Sequence, residues 1–302
     1  MAQGTKAVKA ALIANSLVAV IKLIAAYFTN SKAMLAEAVH SIADSLNQVL
    51  LLVGIKQSEK KADDNHNFGY GKAQFFWSLM VGVILFVIGG VYAMYEGYHK
   101  IIHPGEIKHA YVVLGILLLA IVIEGKSLYI AYQEYKEASN GMSLMQYIKV
   151  STNSSLIVIL LEDSAAIIGL VIAFIGTLLT MFVDPIFDGI ASFMIGILLS
   201  LVAYTLTIEI YKLVIGESMN PKDHILIKDQ IEKYQEVHDV LSIRSMFIGN
   251  NKAYVTVQVD MVDTKSVDNI ENIVPKIKAD IIRNNERIYD ITIETIESGR
   301  NK

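Results

Sequence analysis

Long apolar stretches that recur along the first two thirds of the chain limit its fold more than any other feature. They fall at about residues 8–28, 34–57, 74–97, 110–133, 153–178 and 185–211. An α-helix needs about 20 consecutive apolar residues to cross the hydrocarbon core of a bilayer. The sequence therefore predicts an α-helical polytopic membrane protein with six transmembrane helices. A mean hydropathy of +0.45 agrees with that class.

The composition changes to a charged, soluble pattern after Gly216. Alternation of apolar and polar residues in YVTVQVDM and ITIETI is typical of half-buried strands with helices on one face. We predict helices at 221–234 and 267–285 and strands at 240–247, 253–262 and 289–296, which is an αββαβ order. The predicted domains are a transmembrane domain at 1–215 and a cytoplasmic C-terminal α+β domain at 216–302.

Charge and cysteine content narrow the topology and the chemistry. Lysines near the span ends are more numerous on the side that holds the N-terminus and the second and fourth connections, so the positive-inside rule predicts that both termini are cytoplasmic. The net charge of -4 gives no sign of a nucleic-acid partner. Because the chain has no cysteine, any metal ion must be held by His, carboxylate and amide groups.

Ionisable side chains inside a membrane span are the strongest functional signal in such a sequence. The second span carries His40, Asp44 and Asn47 at positions i, i+4 and i+7, which lie on one stripe of a helix. A His nitrogen and a carboxylate oxygen one turn apart can form half of a tetrahedral zinc-type site without any thiolate. The structural alternative is a His–Asp hydrogen-bonded pair that is buried between helices.

The fifth span carries Glu162 and Asp163 side by side in an apolar setting. Neighbours on a helix are about 100° apart, so both cannot point directly at one ion. Asp44 and Asp163 each lie about ten residues from opposite ends of their spans, which puts both near mid-membrane at about 1.5 Å per residue. Antiparallel packing could therefore bring His40, Asp44 and Asp163 around one cation, and repulsion between the carboxylates makes proton exchange a natural counter-reaction.

The span-two sequence HSIAD, the loop NFGYGK at 67–72, the six spans and the αββαβ tail together resemble the cation diffusion facilitator family of metal/proton antiporters. The resemblance covers essentially the whole chain. It implies an ion site between spans two and five, with alternating access that exchanges Zn²⁺ or a similar ion for H⁺. It also implies a ferredoxin-like tail and a homodimer formed through the cytoplasmic domain and the spans. We expect a multi-pass protein of the cell (inner) membrane.

The second half of the ion site departs from the family pattern, which usually reads His or Asp, three residues, then Asp. Asp163 matches the last residue, but Ile159 stands at the first. The sequence LLEDSAA is similar instead to a branch that includes an animal mitochondrial zinc transporter. We therefore hypothesise that Glu162 or Asn47 completes the ligand set of His40, Asp44 and Asp163.

Several alternatives remain open at the level of sequence. Zn²⁺ is the first choice of ion because His40 is present, whereas oxygen donors favour Mn²⁺ or Fe²⁺. The same polar groups could line a metal-permeable channel, or a non-transporting sensor could keep them as structural pairs. An enzyme is disfavoured because no zincin motif or nucleophile–base arrangement accompanies the carboxylates. Asp63, Asp64 and His66 suggest either an entry site for the ion or a solvated acidic loop.

Overall fold

The computed structural model describes residues 4–29, 32–105, 107, 109–139, 141–262 and 266–297, without the side chains of residues 29, 32–37, 39 and 40. The predicted ligand His40 therefore lies outside the described side chains. Contacts divide the chain into two compact units, Met1–Lys60 with Ala73–Tyr211 and Lys61–Lys72 with Lys212–Lys302. The loop after the second helix thus belongs with the C-terminal unit, which the sequence did not predict.

The first unit is built from long helices. Their bounds, including the end of α8 beyond the unit, are α1 (Thr5–Thr29), α2 (Lys32–Ser58), α3 (Ala73–Ile84), α4 (Tyr92–Ile102), α5 (Ala110–Ala138), α6 (Leu144–Val150), α7 (Ser154–Phe182) and α8 (Ile186–Ile215). A π-helical segment, Leu85–Val91, joins α3 to α4. The short helix α6 lies in the connection between the fourth and fifth predicted spans.

Within the described residues, five segments are long and apolar enough to cross a membrane. They are Thr5–Phe28, Ala73–Ile102, Ala110–Ala138, Ser154–Phe182 and Ile186–Ile215. The helix α2 has 27 residues, which at about 1.5 Å per residue exceeds the thickness of a bilayer core. It is not among the five, so the sixth span stays a prediction while the polytopic α-helical class is confirmed.

Side chains accept hydrogen bonds from backbone N–H groups at the starts of α1 and α7. The Glu134 carboxylate of α5 accepts hydrogen bonds from the backbone N–H groups of Gly4 and Ala7, the latter at 3.0 Å. The Asn153 side chain accepts from the Leu156 N–H at 3.3 Å. The first N–H groups of a helix have no partner within it, and a bilayer offers no water to replace one. These contacts therefore stabilise helix starts that would otherwise be costly near a membrane.

Three glycines, Gly82, Gly89 and Gly90, allow the segment from α3 to α4 to approach α8 closely. A Cβ atom on Gly82 would lie 3.2 Å from Thr207 Oγ1, and one on Gly89 would lie 3.3 Å from Leu199 Cδ1. At Gly90 it would lie 3.2 Å from the Cα atom of Ser200. Such close backbone approach is the usual means of helix association where water supplies no hydrophobic drive.

The C-terminal unit has the predicted αββαβ order. Its elements are α9 (Pro221–Ile231), β1 (Val237–Gly249), β2 (Lys252–Met261), α10 (Val267–Asn284) and β3 (Ile288–Thr295). The sheet runs in the order β1-β2-β3, with β1 and β2 antiparallel and β2 and β3 parallel. Alternate residues of β2 are buried together with the inner faces of α9 and α10, which gives a small α+β core.

The loop at 61–72 packs against the sheet of this same unit. The ring of Phe68 lies edge-on to Tyr254 with centroids 5.1 Å apart. A Cβ atom on Gly71 would lie 2.8 Å from the Cα atom of Gly249. Only glycine fits this approach without displacing backbone atoms.

The hydroxyl of Tyr234 donates a hydrogen bond to the Asp280 carboxylate, which links the end of α9 to α10. This bond raises the pKa of Tyr234 from 10.0 to about 12. Because the folded-state pKa is the higher one, the contribution to stability is complete below about pH 10 and is lost as the pH rises through about 12. The difference in phenolate absorbance between the wild-type chain and Tyr234→Phe should therefore titrate near pH 12.

Tyr289→Phe is the matched control for that titration, because Tyr289 is an exposed tyrosine of the same unit. Its difference spectrum, recorded under the same conditions, supplies the reference against which the Tyr234 midpoint is compared. A Tyr234 midpoint near 10, the ordinary value for tyrosine, would contradict the bond to Asp280.

Candidate metal centre

Polar side chains of α2 and α7 meet inside the first unit. Asn47 and Gln48 of α2 are 2% and 0% exposed, and Glu162 and Asp163 of α7 are 5% and 4% exposed. Asp44, one turn before Gln48, keeps partial exposure. The first turns of α7 are buried on every face, since each residue from Ser154 to Leu160 is at most 1% exposed. A carboxylate in such surroundings is costly unless hydrogen bonds, protons or a cation compensate it.

Two adjacent amides of α2 hold Glu162. The Asn47 Nδ2 atom donates to Glu162 Oε1 at 3.1 Å, and the Gln48 Nε2 atom donates to Glu162 Oε2 at 3.1 Å. Each carboxylate oxygen thus has its own amide donor. The pair of bonds joins α2 to α7 at the level of the predicted ion site.

Asp163 faces a different helix. Its Oδ2 atom accepts a hydrogen bond from Ser127 Oγ of α5 at 2.8 Å. The sequence predicted that neighbours on α7 would point to different partners, and the structure bears this out: Glu162 faces the α2 amides and Asp163 faces α5.

Four carboxylates are close enough for their charges to interact. The charge of Asp44 acts on both Glu162 and Asp163, and Glu124 of α5 also acts on Glu162. Lys22 of α1 is buried and donates to Ser41 Oγ of α2 at 2.9 Å. So many like charges in one buried region favour a bound cation or shared protons.

The complete predicted ligand set cannot be assembled from the described side chains, because His40 lies outside them. Among the residues whose side chains are described, no group of three His, Cys, Asp or Glu residues has an arrangement that could hold a metal ion. Ile159, at the position of the usual family ligand, is fully buried in the apolar core. The ligand roles of His40, Asp44, Asp163, Glu162 and Asn47 therefore stay predictions.

Asp63, one of the candidate ion-binding residues of the loop at 61–72, has hydrogen-bond partners within that loop. Asp63 accepts from the backbone N–H groups of Asn65 and His66 and from the Tyr70 hydroxyl at 2.7 Å. The Tyr70 bond contributes most to lowering the pKa of Asp63, an exposed residue. These bonds shape a turn, so they agree with the solvated-loop interpretation as well as with an entry site.

Sequence reasoning missed two residues at the centre, Gln48 and Ser127. Gln48 is a second amide directly after Asn47 within an apolar span, and its polarity alone could have marked it. Ser127 follows Glu124 by about one helical turn, so it shares a face of α5 with that carboxylate. Hydroxyl groups are common in helices, which is why Ser127 carried little signal.

Comparison with known proteins agrees with this arrangement of helices and polar groups. Residues 8–213 match the family model of the cation efflux transmembrane domain. The chain is 33% identical over 258 residues to the proton-coupled zinc antiporter SLC30A9, mitochondrial, of Xenopus laevis, covering 84% of this chain and 46% of that protein. It is 32% identical over 261 residues to metal tolerance protein C4 of Arabidopsis thaliana, covering 84% of this chain and 56% of that protein.

The chain thus spans about half the length of these two relatives. A shorter relative is aligned more completely. The chain is 30% identical over 224 residues to the magnetosome protein MamB of Magnetospira sp. (strain QH-2), covering 74% of this chain and 71% of that protein. Because the family model matches most of its length, the chain belongs to the cation efflux family, the cation diffusion facilitators that its span-two motif resembles.

Proposed function

We propose that this multi-pass membrane protein exports a divalent transition-metal cation from the cytoplasm, with Zn²⁺ as substrate and H⁺ as counter-ion, by alternating access. The observation that carries the proposal is the buried cluster of interacting carboxylates between α2, α5 and α7. A cluster of this kind can exchange a divalent cation for protons because either one offsets its negative charge.

The relatives support both halves of the exchange. The matched protein of Xenopus laevis is named as a proton-coupled zinc antiporter, and the matched protein of Arabidopsis thaliana as a metal tolerance protein. A protein of this family acts by moving an ion and not by catalysing a covalent reaction, in keeping with the absence of a catalytic motif from the sequence.

The proposed ligands are His40, Asp44 and Asp163, with Glu162 or Asn47 as the fourth. Glu162 and Asn47 are hydrogen-bonded to each other, so whichever of them binds the ion, the other lies beside it. The position of Ile159 in the apolar core leaves no donor at the usual family position. Oxygen donors in place of a second histidine favour Mn²⁺ or Fe²⁺ as second candidate substrates.

The remaining architecture of the proposal follows the family resemblance and the lysine distribution. Residues 1–215 would form the transport domain and residues 216–302 the cytoplasmic domain. Both termini would be cytoplasmic in a cell (inner) membrane. A homodimer through the cytoplasmic domain and the spans would bury part of the apolar surface of the small C-terminal core.

The proposal is tested by uptake of Zn²⁺ into sealed inside-out vesicles that contain the full chain. With an acidic lumen, Zn²⁺ should accumulate above its external concentration, and a protonophore should abolish the accumulation. Parallel assays with Mn²⁺, Fe²⁺ and Co²⁺ rank the substrates. Zn²⁺ that only equilibrates across the membrane, with or without the pH gradient, would indicate a channel and contradict antiport.

A further inference from the structure

Gln48 is the most completely buried polar residue among those of the centre whose side chains are described. Its side chain is 0% exposed and its amide nitrogen is bonded to Glu162 Oε2 at 3.1 Å. Glutamine in the middle of an apolar helix loses its bonds to water on insertion into the membrane. The single bond to Glu162 recovers only part of that cost.

The amide oxygens of Asn47 and Gln48 make the arrangement more unusual. Neither Asn47 Oδ1 nor Gln48 Oε1 has a hydrogen-bond partner among the residues that the structure describes, and both atoms are buried. The orientation of the amides is set by Glu162, because an amide oxygen turned toward a carboxylate would be repelled. Two carbonyl-type oxygens are thus held beside the Glu162 carboxylate, on which the charge of Asp44 acts.

Buried oxygens of this kind have a defined chemical preference. A buried acceptor without a partner costs about 1–3 kcal/mol, whereas a divalent cation accepts such an oxygen as a ligand. Carboxylate and carbonyl oxygens suit Mn²⁺, which takes up to about six oxygen ligands, better than they suit Zn²⁺. Zinc prefers about four ligands that include histidine nitrogen.

We propose that Gln48 determines ion specificity by fixing Glu162 together with Asn47 and by presenting its own amide oxygen to the transported cation. The inference rests on the proposed function, which it deepens. Gln48 raises the affinity for oxygen-preferring ions such as Mn²⁺ relative to Zn²⁺, and removing its amide narrows the range of ions in favour of Zn²⁺.

The test compares Gln48→Met with the wild-type full chain in the vesicle assay. Methionine keeps the length and helix propensity of glutamine but has no amide. The measured quantities are the KM for Zn²⁺ and the inhibition constant of Mn²⁺ against Zn²⁺ uptake. We expect the Mn²⁺ inhibition constant to rise about tenfold, as for the loss of a group that supports a metal site. The KM for Zn²⁺ should change less than about threefold.

Gln74→Met is the matched control. Gln74 of α3 is also a buried amide, but it donates to Ser155 Oγ at 3.1 Å and not to Glu162. Its replacement should leave the ratio of the Mn²⁺ inhibition constant to the Zn²⁺ KM unchanged. Glu162→Gln should lower Mn²⁺ competition as well. Adding Gln48→Met to it should lower competition further, but by less than Gln48→Met does alone, because only the direct contact of the Gln48 oxygen is then left to lose.

Two results would overturn the inference while leaving the proposed function intact. The first is an unchanged ratio of the Mn²⁺ inhibition constant to the Zn²⁺ KM in Gln48→Met, including an equal rise of both constants. The second is Mn²⁺ that fails to compete with Zn²⁺ in the wild-type chain. If Gln48→Met does not reach the membrane, Gln48→Asn replaces it, since its amide is shorter by one methylene and should shift the ratio in the same direction. A wild-type chain that takes up no Zn²⁺ contradicts the proposed function and this inference together.

Discussion

Replacing Asp44 by Asn is expected to reduce metal transport by about two orders of magnitude or more. The substitution keeps the size of the side chain and removes its charge from the centre, where that charge acts on Glu162 and Asp163. A buried ion that loses a charged partner is destabilised by about 3–5 kcal/mol, and each 1.36 kcal/mol corresponds to a tenfold change. Zn²⁺ uptake into vesicles, normalised to the amount of protein in the membrane, measures the loss.

Asp260→Asn provides the control for a buried carboxylate outside the centre. Asp260 is a buried residue of β2 in the C-terminal unit, so its replacement should leave the ratio of uptake rate to protein within about threefold of wild type, as expected for a residue with no contact to the ion. If Asp44→Asn transports Zn²⁺ at the wild-type rate, Asp44 is no ligand. The polar residues of α2 would then be structural pairs, as in the sensor interpretation.

Replacing Gly97 by Ala is expected to destabilise the first unit. A Cβ atom there would lie 2.7 Å from Phe193 Cα and 2.9 Å from the Gly189 carbonyl oxygen of α8. These are backbone atoms, so α4 or α8 must shift. Forcing extra atoms into a packed interior costs about 1–3 kcal/mol, which should lower the thermal unfolding midpoint in detergent by several degrees.

Gly115→Ala is the matched substitution, since nothing described lies within 4 Å of a Cβ atom at Gly115 of α5. Alanine favours a helix over glycine by about 0.5–1 kcal/mol, so this variant should be as stable as wild type or slightly more so. Equal stability of Gly97→Ala and Gly115→Ala would contradict the close approach of α4 and α8.

Hydrophobic length and alternation were sufficient to predict most of the fold. The predicted spans coincide with helices α1 to α8 apart from α6, and the αββαβ order of the tail is confirmed. The π-helical segment Leu85–Val91 could not be predicted, because its side chains are as apolar as those of an ordinary span and its hydrogen-bond shift leaves no compositional mark. The short helix α6 was missed because its apolar run is too brief to stand out from a polar loop.

The candidate centre was predictable only in part. The adjacency of Glu162 and Asp163 on a helix requires different partners, and the structure supplies the α2 amides for one and Ser127 for the other. Sequence spacing located Asn47 because it continues the stripe of His40 and Asp44. It did not locate Gln48, whose relevance depends on how α2 is rotated against α7 and not on any periodicity within α2.

The contact between α2 and α7 also suggests how ion binding and conformational change are coupled. Glu162 is bound by two residues of α2 at once, so a cation that attracts this carboxylate must compete with both amides. Binding and the relative position of the two helices are then linked, as alternating access requires, because an ion can shift a conformational equilibrium only through a difference in its affinity for the two states.

The most direct measurement records Zn²⁺ and proton movement together in vesicles reconstituted with the purified full chain. Luminal indicators for metal and for pH report both fluxes, and Asp44→Asn vesicles supply the background. Antiport predicts that Zn²⁺ entering against its gradient is accompanied by a rise in luminal pH, with both signals absent in Asp44→Asn. Zn²⁺ entry without a matching proton efflux would contradict the exchange.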